Sequence, residues 1–123
     1  MMKYEKVTWT TDGSGNATSY GKTVVGEICA IDYLPGDTDT GATVSVYDEP
    51  SGGFTHTLLV KATAGTANTR YYPRELVHKA EDGAALTGTA GGDRTEPFAS
   101  GKIKVTIASG GNTKTGSVVV WYE

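Results

Sequence analysis

Residues 101–123, GKIKVTIASGGNTKTGSVVVWYE, decide the fold class of this chain. Ile103, Val105 and Ile107 alternate with lysine and threonine, which is the period-two pattern of a strand with one buried face and one solvated face. Glycine and asparagine interrupt the pattern at 110–112, and a second β-branched and aromatic run follows at 118–122. We predict that the two runs pair as a β-hairpin and that the carboxyl terminus is part of the fold.

Length and composition predict one domain, residues 1–123, because this length is ordinary for a single domain. The formal net charge of −3 disfavours a nucleic-acid partner, which would require clustered lysine and arginine. No apolar run is long enough to span a membrane, and the first ten residues lack the apolar core of a secretory signal. We therefore expect a soluble, unprocessed protein without a membrane partner, in which the single cysteine, Cys29, is a buried small apolar residue.

Turn-forming residues recur at short intervals along the sequence, and candidate strands lie between them. Short strands at this spacing indicate a sandwich or a barrel with mostly antiparallel pairing, because the connections are too short for crossover helices. No stretch is a convincing helix, although one or two helical turns could form at 75–85. The candidate strands are 4–11, 23–33, 42–48, 55–62, 70–78, a weak one at 84–89, and the two strands of the closing hairpin.

The alternation also predicts which side chains face the core. Val7 and Trp9 share one face of the first candidate strand, and Val44 and Val46 share one face of the third. The second candidate strand does not alternate cleanly. It is either buried on both faces or interrupted by a bulge at Gly26, which is the interpretation we favour.

No residue pattern in the chain carries catalytic chemistry. No serine lies in a nucleophile elbow, and Cys29 lies in an apolar run that disfavours a thiolate. The segment 21–23, Gly-Lys-Thr, lacks the rest of a phosphate-binding loop and is interpreted as a hairpin turn. Two histidines and one cysteine cannot complete a structural zinc site. We predict no enzyme activity, no catalytic residue, no cofactor and no metal site, and leave open weak surface calcium at acidic turns such as 12–16 and 37–41.

Aromatic and charged residues outside the expected core suggest an interaction surface. In an extended chain Tyr72, Arg74 and His78 lie on one side, and Pro73 should place their strand at an edge or a bulge. The surplus of tyrosine and tryptophan suits protein interfaces and sugar-stacking surfaces. The candidate interface residues are Tyr71, Tyr72, Arg74, His78, Tyr47 and Tyr122, with Trp121 an alternative to Tyr71 among the exposed aromatics.

Three segments carry a family resemblance. They are KYEKVTWTTD at 3–12, RYYPR at 70–74 followed by His78 and GAAL at 83–86, and KIKVTIASGGNTKTG at 102–116. Together they resemble a family of small β-rich virion proteins of tailed bacteriophages and prophages. The family pattern is one of strands and turns and supplies no catalytic residue.

The resemblance implies a virion structural component, and specifically a decoration or cement protein on the outer surface of the capsid. We therefore expect an antiparallel β-sandwich of jelly-roll type that is made in the host cytoplasm. We expect it to bind the major capsid protein as a homo-oligomer, namely a trimer. A carbohydrate-binding or host-adhesion module that binds a glycan is the first alternative. A head-to-tail or tail component is the second.

Overall fold

The chain folds into a β-sandwich in the computed structural model, which describes residues 2–49, 55–76 and 94–123. No helix that could cross a membrane occurs among these residues. The strands are β1 (Lys3–Thr10), β2 (Ala17–Thr23), β3 (Gly26–Leu34), β4 (Thr43–Glu49), β5 (His56–Lys61), β6 (Thr69–Tyr71), β7 (Glu75–Leu76), β8 (Arg94–Thr95), β9 (Phe98–Ala99), β10 (Lys102–Ala108) and β11 (Thr115–Tyr122).

Two antiparallel sheets form the sandwich. The first sheet has the order β1-β11-β3-β6, with the short β9 paired to the start of β3, and the second has the order β2-β10-β4-β5. β7 and β8 form a separate two-stranded pair. The long strands pass repeatedly from one sheet to the other along the chain, which is the connectivity of a jelly roll. The predicted all-β, jelly-roll-like sandwich is confirmed.

The predicted closing hairpin is wrong, because β10 and β11 lie in different sheets. β10 is hydrogen-bonded to β2 on one edge and to β4 on the other, so neither edge is open to β11. β11 instead pairs with β1 and β3 in the opposite sheet. The loop between them bends out of the sheet through positive φ angles at Ser109, Gly111 and Thr113.

β2 is a strand that the sequence did not predict. Its residues, ATSYGKT, lack alternating apolar side chains, and the segment 21–23 belongs to this strand rather than to a hairpin turn. β2 is an edge strand ordered by its backbone pairing with β10. It is also tied to the other sheet, because the Glu5 carboxylate accepts a hydrogen bond of 2.7 Å from the Lys22 backbone N–H.

A bulge interrupts β3, as predicted, but it lies at Cys29 rather than at Gly26. In the register with β11, Trp121 faces Ala30 and Tyr122 faces Ile28, so Cys29 is the extra residue. The bulge shifts the alternation by one residue. Ile28 faces the core before it, and Ile31 and Tyr33 face the core after it. Cys29 itself is half-buried, so its predicted full burial is wrong.

The inward faces of the two sheets form the core. The predicted core residues of β1, β4 and β10 are all buried, which confirms the alternation. Trp9 stacks on Tyr33 with 6.0 Å between ring centroids, and its indole N–H donates to Thr38 Oγ1 at 3.2 Å. The main hydrophobic core residues are Val7, Trp9, Val24, Ile28, Ile31, Tyr33, Ala42, Val44, Val46, Leu58, Ala64, Ala99, Ile103, Val105, Ile107, Val118 and Val120.

The predicted strand 70–78 is shorter than expected. β6 ends at Tyr71, two residues before Pro73, and lies at the edge of the first sheet. The edge position agrees with the presence of Pro73, because proline has no backbone N–H to donate to a neighbouring strand. The predicted weak strand at 84–89 lies outside the described residues, as does most of the possible helical turn at 75–85, of which only β7 is described.

Candidate functional site

The outer face of the first sheet carries a groove of about 300 Å³. We call it the aromatic groove, and it is lined by Met2, Cys29, Ala30, Arg70, Tyr72 and Trp121. Ala30 forms its floor, since this residue is directly opposite Trp121 in the register and is only 6% exposed. A small side chain between larger neighbours therefore creates the depression.

Asp32 holds the polar wall of the aromatic groove in place. Its carboxylate accepts two hydrogen bonds from the Arg70 guanidinium, at 2.5 and 2.8 Å, and one from the Trp121 indole N–H at 2.9 Å. The hydrogen bond from Arg70 is the main reason that the pKa of Asp32 lies below its ordinary value. The carboxylate remains ionised at neutral pH and fixes both partners.

The aromatic rings beside this carboxylate form a connected surface. Trp121 contacts Tyr4 with 5.2 Å between ring centroids and an interplanar angle of 47°. The Arg70 guanidinium lies 6.0 Å from the Trp121 ring, and the Arg74 guanidinium lies 6.0 Å from the Tyr72 ring. Both distances are within the range of cation–π attraction. The outer face thus alternates aromatic rings with guanidinium groups.

Cys29 also lines the aromatic groove. Partial burial is the main cause that raises the pKa of its thiol, and the carboxylates of Glu96, Glu123 and Glu27 raise it further. The thiol is therefore protonated at neutral pH. A protonated, half-buried thiol is a weak nucleophile, and its role in the groove is to provide surface.

The second sheet has a different outer face. Lys104 of β10 lies directly between Tyr20 of β2 and Tyr47 of β4 in the register, and we call these residues the tyrosine–lysine row. The Lys104 ammonium is 6.0 Å from one ring centroid and 5.9 Å from the other, and it is 3.4 Å from a Glu49 carboxylate oxygen. These contacts hold the two rings on one continuous surface.

The predicted interface residues do not form one site. Tyr72 and Arg74 lie at the aromatic groove, whereas Tyr47 belongs to the tyrosine–lysine row on the opposite face. Tyr71 and Tyr122 are partly buried and pack against the core. His78 lies outside the described residues.

A buried carboxylate that the sequence did not predict lies between β4, β5 and the residue that follows β9. Asp48 is 2% exposed, and one of its oxygens accepts a hydrogen bond of 3.0 Å from the Ser100 backbone N–H. His56 Nδ1 is 3.7 Å from the same oxygen, and His56 Nε2 contacts the Glu75 carboxylate. Because these contacts join four segments, the cluster connects β7 to the second sheet.

The acidic turns use their carboxylates within the fold. Asp12 accepts hydrogen bonds from the backbone N–H groups of Ser14 and Asn16, at 2.8 and 3.0 Å, and these bonds lower the pKa of its carboxyl. Asp37 accepts a hydrogen bond of 2.7 Å from the Thr115 backbone N–H. Within 2–49, 55–76 and 94–123, no group of three or more His, Cys, Asp or Glu side chains is placed to hold a metal ion.

Comparison with protein-family models, with curated proteins and with solved structures found no match to this chain. The two outer faces are therefore interpreted from their geometry and chemistry. Sequence reasoning named Trp121 among possible exposed aromatics but missed Tyr4, Asp32 and Arg70. Thirty-eight residues separate Arg70 from Asp32 along the chain, so no local motif marks their pairing.

Proposed function

We propose that this chain is a virion structural protein that decorates the outer surface of a bacteriophage capsid through the outer face of its second sheet. The observation that carries the proposal is the tyrosine–lysine row of Tyr20, Lys104 and Tyr47. The row crosses three adjacent strands and offers a continuous surface to another folded protein. The resemblance to small virion proteins suggests the major capsid protein as the partner.

The composition of the tyrosine–lysine row suits a protein interface. Tyrosine is enriched at interface hot spots and gives a large contact area for the loss of few rotatable bonds. Tyr20 is 57% exposed and therefore has most of its surface left to bury on binding. Lys104 is already contacted by two rings and paired with Glu49, which reduces the number of unpaired polar groups that an interface would cover.

The proposed mechanism is mechanical rather than catalytic. A protein that binds only the assembled capsid stabilises that state by its binding free energy. Each copy that spans neighbouring capsid subunits adds buried interface area that must be exposed before they separate. We further propose that the copies act as trimers, because three linked contacts give greater avidity than one.

The proposal is tested by adding the purified chain to capsids of the phage or prophage that encodes it. We expect sedimentation with the capsids at a copy number comparable to that of the major capsid protein, and a free particle of three times the 12.9 kDa chain mass. Cryo-electron microscopy should place β2, β10 and β4 against the shell. A location in the tail, or a copy number far below that of the capsid protein, would overturn the proposal.

A matched set of tyrosine variants tests which face binds. The double variant Tyr20→Ser and Tyr47→Ser should lose capsid binding. Tyr72→Ser, on the opposite face, is the control, because Tyr72 is similarly exposed at 62%. Equal loss of binding in both variants would contradict docking through the second sheet.

A further inference from the structure

We infer that the aromatic groove on the first sheet binds an uncharged pyranose ring of a glycan. This inference goes beyond capsid docking, because it concerns the opposite face of the sandwich. The groove combines three features that suit pyranose recognition: aromatic walls, a small floor residue, and a guanidinium that is held in place by a neighbouring carboxylate. Each feature is carried by different residues.

The size of the aromatic groove favours a small rigid ligand. Its volume of about 300 Å³ is at the lower end of the range for small-molecule sites. Ala30 keeps the floor low between Trp121 and Tyr72. One or two sugar rings match this space, whereas an extended protein segment would use only a small part of its surface there.

The walls suit the apolar face of a sugar. A pyranose ring presents axial C–H groups on one face, and these pack against the negative face of an aromatic ring. The Trp121 ring is held by its hydrogen bond to Asp32 and by its contact with Tyr4. Little side-chain entropy is therefore lost when a ligand stacks on this ring.

The polar wall suits adjacent hydroxyl groups. A guanidinium has five N–H donors, and Asp32 accepts only two of those of Arg70. Arg70, which lines the groove, therefore retains N–H donors that Asp32 holds in fixed positions, and the hydroxyl oxygens of a sugar can accept from them.

The charge of the groove favours a neutral sugar. Arg70 and Asp32 neutralise each other in a paired geometry. The carboxylates of Glu27, Glu96 and Glu123 act on Cys29, which lines the groove. These three carboxylates outnumber the one further cation at the groove, the Arg74 guanidinium beside Tyr72, so a sugar acid would experience net repulsion and neutral hexoses should bind better than sialic acid.

The test is a titration followed by amide NMR and tryptophan fluorescence, with methyl glycosides of glucose, galactose, mannose and N-acetylglucosamine, and with methyl sialoside as the anionic probe. We expect at least one neutral glycoside to shift the resonances of Ala30, Arg70 and Trp121 with a Kd of about 1 mM. Sialoside should produce no saturable shift. If no neutral glycoside shifts these resonances, or if sialoside binds more tightly, the inference is wrong.

Two groove variants and one control make the result specific. Ala30→Leu should fill the floor, and Trp121→Ser should remove the stacking wall, each with a weakening of about tenfold or more. Tyr47→Ser, on the opposite face, should bind the sugar as the wild type does. Thermal melts establish which variants are folded, and unchanged affinity in a folded groove variant would refute the site.

The two proposals fail separately. Capsid binding through the second sheet, together with no response to sugars, would overturn the glycan inference and leave the decoration proposal intact. Sugar binding without any capsid binding would overturn the decoration proposal and leave the glycan site intact.

Discussion

At the scale of single residues, Gly116 of β11 is closely packed against the core tryptophan. A Cβ atom added there would lie 2.5 Å from Trp9 Cζ2 and 2.7 Å from the Pro35 carbonyl oxygen. The Trp9 indole cannot move away easily, because it stacks on Tyr33 and its N–H donates a hydrogen bond to Thr38. Glycine at this position therefore allows the tryptophan to lie against β11.

Gly116→Ala should reduce the free energy of unfolding by about 1–3 kcal/mol, the usual cost of inserting one methyl group into a packed core. Urea denaturation followed by far-UV circular dichroism measures the change. Gly41→Ala is the matched control, because a Cβ atom added at Gly41 would have no other atom within 4 Å, and its stability should be unchanged or slightly higher. Equal effects of the two substitutions would contradict the packing argument.

The Asp32–Arg70 ion pair makes a pH-dependent contribution to stability. The pKa of Asp32 is lowered in the folded protein, chiefly by Arg70. The folded state is therefore favoured fully above the unfolded pKa of about 3.9, and the advantage is lost as the pH falls through the lower folded pKa. The Arg70 side chain is 51% exposed, so solvent screening limits the effect.

Asp32→Asn should lower stability at pH 7 by at most about 1 kcal/mol, and the difference from wild type should shrink towards zero as the pH falls below the folded pKa of Asp32. Chemical denaturation at a series of pH values measures this. In the Arg70→Gln background the same substitution should have a much smaller effect. A difference that persists undiminished at the lowest pH would show that the ion pair is not its cause.

At the scale of elements, β11 shows how far alternation predicts packing. Val120 faces the core and is fully buried, whereas Val119 faces outward and is half-buried. Val120→Thr should cost about 1–3 kcal/mol, because it buries a hydroxyl in an apolar setting. Val119→Thr, one residue away in the same strand, should change stability by less than about 0.5 kcal/mol. Thermal melts compare them, and a reversed order would contradict the register.

The sequence predicted those strands whose apolar residues alternate, such as β1, β4 and β10. It could not reveal β2, because this strand is ordered by backbone pairing with β10 rather than by a buried side-chain pattern. It misassigned the partner of β11, since period-two alternation reports which face is buried and not which strand lies alongside. The bulge was foreseen from the broken alternation, but its position depends on the pairing of Trp121 with Ala30.

The candidate site was less predictable than the fold. Exposed aromatics were expected from composition, yet composition does not say which rings share a face, and Tyr47 and Tyr72 lie on opposite faces. The Asp32–Arg70–Trp121 cluster joins β3, β6 and β11. Such a cluster follows from the strand order of the sheet, which local sequence patterns do not encode.

At the scale of the whole molecule, the jelly-roll connectivity ties the two sheets into one unit. β1 pairs with β11, so the first and last described strands are neighbours in the first sheet. Between them, the chain crosses to the second sheet and back. Trp9 and Tyr33 of the first sheet and Val105 of the second belong to the same core. If either sheet separates from the other, the inner faces of both sheets are exposed to solvent.

We therefore expect the sandwich to unfold as one cooperative unit. Native-state hydrogen exchange of the free protein should give the same opening free energy for the amides of Val105 in β10 and Val120 in β11, each central in its sheet. This value should equal the free energy of unfolding from urea denaturation. The amide of Thr57 in the edge strand β5 is the control and should exchange through smaller local openings. A difference of more than about 1 kcal/mol between the two central amides would mean that one sheet opens while the other remains folded, which the shared core forbids.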